Sequence, residues 1–522
     1  MRLYATSPAF QVGLAGAALL VFGVLMRAPP AMAFGAAIVT TIAFARAKSA
    51  LTVTELRGSG FEMNWALRDR VLRLAVDETV TLQADIRNRS NHVVRAVNVR
   101  AIHSSLLDVT LDAQEVLLEP QAATRVGLTV CARRIGRWGL HGLSFEVRDT
   151  FAGGDGLFEV PLLFLNPVGI EASPAPLRAM QRSAIGGRAR RADPSGCTSR
   201  RKGESSSVRE LREYSYGDSM RKLAWKASAR RGKLLVRETE QEEVQSSFYV
   251  LDASVELWAG DPGTAPLDHT VHELAKSIRG AVARGERVGL AIVASRVLAW
   301  VELGAGPKHT EAIEQALFAA SRCVDADRCG LRTTELARLV FEHLRPLETT
   351  RQNSRADVES VALRAEAQLD RAPFAAHDPI ATTETEARLR KYLEAFGIET
   401  PPLEHGERAV SEATIASVLD TLAKNRKHVG SIYVFGPFRA ASAVIRSAVR
   451  RVRSSGIAIV WALTPFERTL SRREAYPAGE TRTVAEAANY AVHLRVRAAE
   501  RRNAAALSAS GAKRLNLRGP SK

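Results

Sequence analysis

The chain has 522 residues and a formal charge of +17, with 46% hydrophobic and 25% charged residues. At about 150 residues per domain this length predicts about three structural units, and the composition excludes a fibrous or wholly disordered protein. Four cysteines are too few for a disulfide scaffold, and the spacing of Cys323 and Cys329 matches no zinc pattern. We therefore expect four reduced thiols in a cytoplasmic body.

The first apolar part of the chain predicts a membrane anchor over residues 1–48. Two uncharged runs, 9–26 and 28–45, are each just long enough to cross a hydrocarbon core of ~30 Å as a helix. Arg27, Pro29 and Pro30 separate the runs, which predicts a hairpin of two transmembrane helices. Arg and Lys are concentrated outside the loop, so both ends and the soluble body are expected in the cytoplasm. A signal peptide cleaved after Ala33 is the alternative.

Residues 49–173 have the pattern of an antiparallel, Ig-like β-sandwich. Short runs such as 78–88 and 124–132 alternate apolar and polar residues, and turns rather than helical patterns separate them. Several strands of this kind in succession are typical of a sandwich. The region has no nucleophile–base pair and no metal-ligand spacing, so we expect a spacer or a binding module.

Most of the net charge lies in a basic segment, 174–245. Residues 178–237 alone carry +12 of the +17. Such cations can bind the phosphates of nucleic acid, with Tyr214, Tyr216 or Trp225 stacking on bases, or they can bind anionic lipid.

A structural network that also forms an interaction surface is the interpretation that we favour for this segment. Arg212 and Arg221 can pair with acids that follow or precede them in the sequence, namely Glu204, Glu213 and Asp218. Asp218 can cap a helix over 219–230 in which Met220, Leu223, Ala224 and Ala227 share a core-facing side, with Trp225 at its edge, where it can be buried.

From 246 to 466, apolar strands alternate with amphipathic helices, which is typical of a doubly wound parallel α/β sheet. Strands are expected at 246–254, 287–295, 297–303, 430–436 and 457–463. A helical insert at about 325–427 interrupts the pattern, and 467–522 reads as a helix followed by a disordered basic tail. Ligands bind such sheets at the carboxyl ends of the strands, which makes Asp252, Ser254 and Gly436 candidates.

The basic segment resembles the proteins that carry domain of unknown function 58 (DUF 58). The motif is Arg212-Glu213-Tyr214, Gly217-Asp218, Arg221, Trp225-Lys226, Ser228-Ala229-Arg230 and Val236-Arg237-Glu238, followed by Leu251-Asp252-Ala253-Ser254. The order of parts is also similar, with a membrane hairpin, a sandwich, the motif and then a von Willebrand factor A-like domain. The likeness covers residues 1 to about 320, and the insert is a departure from the family pattern.

This resemblance implies a function but no chemistry. The family has no settled enzymatic activity, and its bacterial members are commonly encoded beside MoxR-type AAA+ ATPases. We therefore expect a non-enzymatic scaffold or adaptor in the bacterial inner membrane that works with such an ATPase in complex assembly or chaperoning. The alternative is a lipid- or nucleic-acid-binding protein that uses residues 178–237. The expected interaction residues are Arg212, Glu213, Tyr214, Gly217, Asp218, Arg221, Trp225, Lys226, Ser228, Arg230 and Glu238.

The strand-end residues form an incomplete metal site. A von Willebrand-type Mg²⁺ site needs Asp-x-Ser-x-Ser and an acid from a later loop. Asp252 and Ser254 are present, but the third position is Glu256 and residues 436–438 contain no Asp. We therefore expect no working metal site and no cofactor, with Asp252 and Ser254 capping a turn instead. A hydrolytic site near Asp252 is a second alternative, although the common hydrolase and nucleotide-binding motifs are missing.

Overall fold

A computed structural model describes residues 4–148, 158–178, 198–216, 219–220, 223–242, 245–344, 357–403, 407–425, 429–438, 442–464 and 484–515. The chain divides into two compact units. The first contains Met1–Ala172 and Cys323–Pro402, and the second contains Ser173–Arg322 and Leu403–Lys522. The predicted insert is thus shared between the two units.

Two apolar helices open the first unit, α1 (Ser7–Leu25) and α2 (Pro29–Ser59). Both are long and apolar enough to cross a membrane, in agreement with the predicted pair. They pack closely because glycines line the contact: a Cβ atom on Gly35 would lie 2.5 Å from the backbone nitrogen of Leu20. Helix α2 continues past the charged residues at 46 and 48, where the sequence pattern predicted its end.

Two antiparallel sheets form the body of the first unit. The first has the order β2-β4-β8-β6, and the second has the order β1-β10-β9-β5-β7, with β3 also paired to β10. Leu82, Ala84 and Ile86 alternate as buried residues along β4, as the sequence pattern predicted, and both sheets contribute to one core. The strands are β1 (Tyr4–Ala5), β2 (Phe61–Trp65), β3 (Val71–Ala75), β4 (Thr79–Asn88), β5 (Val94–His103), β6 (Leu107–Leu111), β7 (Val116–Leu118), β8 (Ala123–Ala132), β9 (Gly136–Arg148) and β10 (Phe158–Ser173).

Three helices from the middle of the chain belong to this same unit. The sequence pattern predicted their helical character but grouped them with the α/β domain. In the structure Ser104 Oγ donates to the carbonyl of Gly397, and the backbone nitrogen of Leu106 donates to Glu399 Oε1 at 2.8 Å. These contacts join residues almost 300 positions apart, which local periodicity does not report. The helices are α6 (Thr333–Leu344), α7 (Val358–Ala367) and α8 (Glu384–Ala395), with helices numbered in chain order throughout.

The second unit is built on a six-stranded sheet of order β15-β14-β13-β16-β17-β18, parallel except for the pair β14/β15. Phe248 on β13 (Ser246–Asp252) packs with helices α9 (Glu407–Lys424) and α10 (Ala443–Ser454), whereas the Tyr249 hydroxyl donates to a carbonyl of α4 (Pro266–Ala283). Helices therefore cover both faces of the sheet. Its strands are β13 (Ser246–Asp252), β14 (Arg287–Val293), β15 (Val297–Gly304), β16 (Ser431–Gly436), β17 (Ala458–Leu463) and β18 (Lys513–Leu515). Its larger helices are α4 (Pro266–Ala283), α5 (Pro307–Leu317), α9 (Glu407–Lys424), α10 (Ala443–Ser454) and α11 (Val484–Ser510).

The five strands predicted for this sheet are present, but one prediction about the C-terminal tail is wrong. Lys513–Leu515 lies in the segment predicted to be disordered, yet it pairs in parallel with Val460, Trp461 and Ala462 of β17. The backbone groups of an edge strand can pair with the backbone of another segment whatever side chains that segment carries. The polar sequence at 513–515 therefore does not reveal this strand.

Two buried histidines pack together inside the first unit. The rings of His141 on β9 and His343 on α6 meet edge to face with centroids 4.5 Å apart. His343 Nδ1 lies 2.7 Å from the Tyr392 hydroxyl of α8. Burial lowers the pKa of His343 to about 4, and burial with the nearby imidazoles of His343 and His103 lowers the pKa of His141. Both rings are therefore neutral at pH 7.

We predict that this pair makes the first unit sensitive to acid. The folded-state pKa of His343 lies below the ordinary value of 6.5. The stability that the buried neutral ring contributes is therefore fully present above pH 6.5 and is lost as the pH falls toward 4. The loss amounts to about 3 kcal/mol. His343→Gln should flatten the pH dependence of the unfolding free energy between pH 6.5 and 4, as measured by denaturant titration.

His272→Gln is the matched control, because His272 is exposed on α4. An unchanged slope in the His343 variant, or an equal flattening in the control, would contradict the assignment.

Candidate functional site: the signature helix and the strand ends

The basic segment, 174–245, carries the DUF58-like motif and is called the signature segment below. Where the structure describes it, it forms two antiparallel strands with a short helix, the signature helix, between them. The strands are β11 (Thr198–Glu213) and β12 (Leu235–Glu242), and the helix is α3 (Trp225–Arg231). Gly232 ends the helix with a φ of 65°, a left-handed conformation that glycine adopts without strain. The described part of the segment therefore has regular secondary structure.

The inner side of α3 is fixed to β12. Leu223 forms a bridge with Val236, and the backbone nitrogen of Ala224 donates to the carbonyl of Leu235 at 2.8 Å. Ser228 Oγ in turn accepts from the backbone nitrogen of Leu235 at 2.9 Å. All five of these residues are buried. Ser228, predicted as an interaction residue, is thus part of the support and not of the surface.

The predicted apolar side of the helix forms only in part. Leu223 and Ala224 are buried as expected, but Met220 is 67% exposed and Trp225 is 64% exposed. The helix begins at Trp225 and not near residue 219, so Leu223 pairs with a strand instead of lying on a helical stripe. Trp225, for which the sequence pattern allowed burial at the edge of the apolar side, is therefore exposed.

The other predicted interaction residues have separate positions. Lys226 and Arg230 are exposed on α3, and Tyr214 is half-buried, with its backbone nitrogen bonded to the carbonyl of Leu234. Glu213 forms an ion pair with Lys233, with Oε1 and Nζ 2.9 Å apart. Arg212 Nη1 donates to the backbone carbonyl of Glu213. Two further acids lie on the strands, Glu204 on β11 and Glu238 on β12, while Gly217, Asp218 and Arg221 lie outside the described residues.

A second group of polar residues lies at the carboxyl ends of β13 and β14. Asp252 accepts hydrogen bonds from the backbone nitrogen of Ser254 at 3.0 Å and from its hydroxyl, so Asp252 caps this turn as the sequence favoured. Ser254 precedes the short helix Val255–Trp258 but makes no side-chain capping bond to it. Ser254 Oγ also lies 3.1 Å from Ser411 Oγ of α9. Asp252 and Ser254 are 3% and 2% exposed, so neither is open to solvent.

Glu407, which the sequence analysis did not identify, closes these strand ends. It is the first residue of α9, and its Oε2 accepts from the backbone nitrogen of Val255 at 2.7 Å. Its Oε1 accepts from the backbone nitrogen of Ser295 at 3.1 Å. One carboxylate thus bridges the loops that follow β13 and β14. Nothing in the local sequence around 407 predicts this contact, because its partners are more than 100 residues away.

The donor set at the strand ends does not fit a bound metal. Asp252 Oδ1 is used by Ser254, Ser254 Oγ is shared between Asp252 and Ser411, and Glu407 holds backbone nitrogens. Glu256 is only partly buried. Within the residues that the structure describes, no three histidine, cysteine or acidic side chains are placed to hold an ion.

Burial raises the pKa of Asp252 to about 6, against the two hydrogen bonds from Ser254 that lower it. The negative charges of Glu407 and Glu256 raise this pKa further. Because the folded-state pKa exceeds the ordinary value of 3.8, the associated stability is present below pH 3.8 and is lost as the pH rises through 6. With Asp252 ionised, the free energy of unfolding is therefore lower by on the order of 3 kcal/mol than with Asp252 protonated.

We predict that Asp252→Asn gains stability relative to the wild type as the pH rises from 4 to 8. The change in the difference between the two unfolding free energies should approach about 3 kcal/mol, because asparagine cannot ionise. Asp261→Asn is the control, since Asp261 is exposed in a loop of the same unit. A pH-independent difference for Asp252→Asn would show that this carboxyl does not titrate as described.

The geometry defines a chain with two apolar helices, a unit of two antiparallel sheets and a unit built on a largely parallel sheet. Residues 210–339 match the family model described as "Protein of unknown function DUF58". The match covers the end of β11, helix α3, strands β12 to β15, helices α4 and α5 and the first part of α6. It supports the DUF58 resemblance found in the sequence. No curated protein matches the chain.

Solved structures give only distant likenesses. The ASH/PapD-like domain of human CEP192 shares 10% identity over 22% of this chain and 85% of its own, with a TM-score of 0.16. The α-2-macroglobulin of Escherichia coli shares 10% identity over 84% of this chain and 55% of its own, with a TM-score of 0.17. A family 123 glycoside hydrolase from Clostridium perfringens shares 6% identity over 77% of this chain and 72% of its own, with a TM-score of 0.14. At these TM-scores the likenesses carry no argument about this chain.

Proposed function

We propose that the protein is a membrane-anchored, non-enzymatic adaptor of the DUF58 family that binds a MoxR-type AAA+ ATPase and acts in complex assembly or chaperoning. The observation that carries the proposal is that one side of the signature helix is exposed to solvent. Trp225, Lys226 and Arg230 belong to the family motif, yet they are exposed and are not used to build the core. Motif residues that do not serve packing are free to serve a partner.

The strand ends support a role without catalysis. Ser254 donates its hydroxyl to the buried carboxylate of Asp252, and it is itself 2% exposed. A nucleophile needs a reachable reacting atom and a stabiliser for developing charge. Here the backbone nitrogens of Val255 and Ser295 already bind Glu407, so they do not offer an anion site to a substrate.

The domain assignments and the location belong to the same proposal. The sheet order with helices on both faces supports a von Willebrand factor A-like second unit, and the two sheets with one core support an Ig-like sandwich. The two apolar helices support an anchor in the bacterial inner membrane with the body in the cytoplasm.

Binding of anionic lipid or nucleic acid is the second candidate function. It is favoured by Lys226, Arg230 and Arg231, which are exposed and form no ion pair with the residues that the structure describes. Binding of this kind weakens steeply as the salt concentration rises, because bound counterions are released when phosphates are neutralised.

The experiment uses the full-length protein in lipid nanodiscs and the purified MoxR-type ATPase of the same cell. We expect the two to co-elute in a nucleotide-dependent manner, because AAA+ ATPases change conformation with the bound nucleotide. An unrelated nanodisc-embedded protein is the control. Absence of a complex in ATP, in ADP and without nucleotide would contradict the adaptor function. Salt-sensitive capture of DNA in its place would favour the second candidate.

A further inference from the structure

The outer side of α3 combines an uncovered indole with cations. The buried Ser228 and the buried Ala224 before the helix mark its inner side, whereas Trp225, Lys226, Ala229 and Arg230 are exposed. Residues four apart are neighbours on a helix surface, so Trp225 lies beside Ala229 and Lys226 lies beside Arg230. The small side chain of Ala229 leaves the indole of Trp225 open. We call Trp225, Lys226, Ala229 and Arg230 the α3 outer face.

The α3 outer face is held rigidly. The helix is attached to β12 on both sides of its first turn, through the bridge between Leu223 and Val236 and through the hydrogen bonds of Ala224 and Ser228 to Leu235. A side chain presented on a fixed support loses less conformational freedom on binding. A pocket that accepts one indole gains from this fixed geometry, whereas a fluid lipid surface does not need it.

The charge of the α3 outer face indicates the partner's chemistry. Lys226 and Arg230, with the adjacent Arg231, form no ion pair with described residues, so they are available to acids of another molecule. Tryptophan and arginine are the residues most enriched among those that dominate protein–protein binding energies. Complementary charge steers such partners together and fixes their orientation.

We propose that the α3 outer face is the docking surface for a protein partner that presents an apolar pocket surrounded by acidic residues, with the side chain of Trp225 inserted in the pocket. The proposal rests on the protein-binding function proposed above and specifies its surface. Lys226 and Arg230 pair with the acidic rim, and Ala229 permits close approach beside the indole.

Binding is measured for the full-length protein in nanodiscs against two probes, the purified ATPase and a pair of glutamate-rich peptides. One peptide carries interspersed leucine and phenylalanine, and the other carries serine at the same positions. Trp225→Ala should weaken binding of the ATPase and of the apolar peptide by about tenfold or more, as expected for a central anchor. Trp225→Phe should retain part of the affinity. The serine peptide should bind weakly and be insensitive to Trp225→Ala.

Charge reversal of Lys226 and Arg230 to glutamate should also weaken both interactions and reduce their dependence on salt. The matched control reverses Lys308 and Arg501, two exposed cations elsewhere in the second unit, and should leave both affinities unchanged. Circular dichroism and thermal unfolding of each variant show whether it is folded. The exposed position of Trp225 predicts that its substitution changes the unfolding midpoint little.

The outcomes separate the surface from the function. ATPase binding that is unchanged by both sets of substitutions overturns the docking surface and leaves the adaptor function standing. Failure of the ATPase to bind, with a Trp225-dependent apolar peptide, overturns the ATPase as partner and leaves the surface standing. Equal binding of the two peptides contradicts the proposal that Trp225 makes an apolar contact with its partner. Trp225-dependent binding to phosphatidylglycerol vesicles, with no binding of either protein probe, assigns the face to lipid and overturns the proposal.

Discussion

The buried contact between α3 and β12 determines what the signature segment can do. Leu223 and Ala224 are withdrawn from solvent against Leu235 and Val236, and Ser228 satisfies the backbone nitrogen of Leu235. A helix of seven residues is too short to be stable alone in water, so this contact and not helix propensity keeps it formed. Because the inner side is occupied by the chain itself, Trp225 and the neighbouring cations are directed outward as a fixed set.

The strand ends of the second unit show the opposite use of polar groups. In an open α/β sheet this edge is the usual position for ligands. Here Glu407 occupies the backbone nitrogens of two loops, and Ser254 and Ser411 satisfy one another and Asp252. A buried carboxylate that is held by hydrogen bonds is costly to displace. At the strand ends, polar side chains are thus engaged in hydrogen bonds within the chain, whereas on the signature helix Lys226 and Arg230 are exposed. The proposed adaptor function depends on this contrast.

Local periodicity allowed much of the fold to be predicted. The apolar runs gave the two N-terminal helices, alternation gave strands such as β4, and uninterrupted apolar runs gave β13 and β16. Contacts between distant residues were not predictable in this way. Glu407 reaches Val255, the helices after residue 325 join the first unit through Gly397 and Glu399, and β18 pairs through its backbone alone. For the signature helix, the motif identified Trp225, but its exposure depends on where the helix begins.

The most direct test of the account is hydrogen–deuterium exchange of the full-length protein in nanodiscs, with and without the ATPase. If the signature helix is the docking surface, protection on binding should be concentrated in peptides covering residues 223–235, while peptides covering 252–258 remain unchanged. Slower exchange at the strand ends, with no change over 223–235, would contradict the account and assign the partner to the crevice that Glu407 closes.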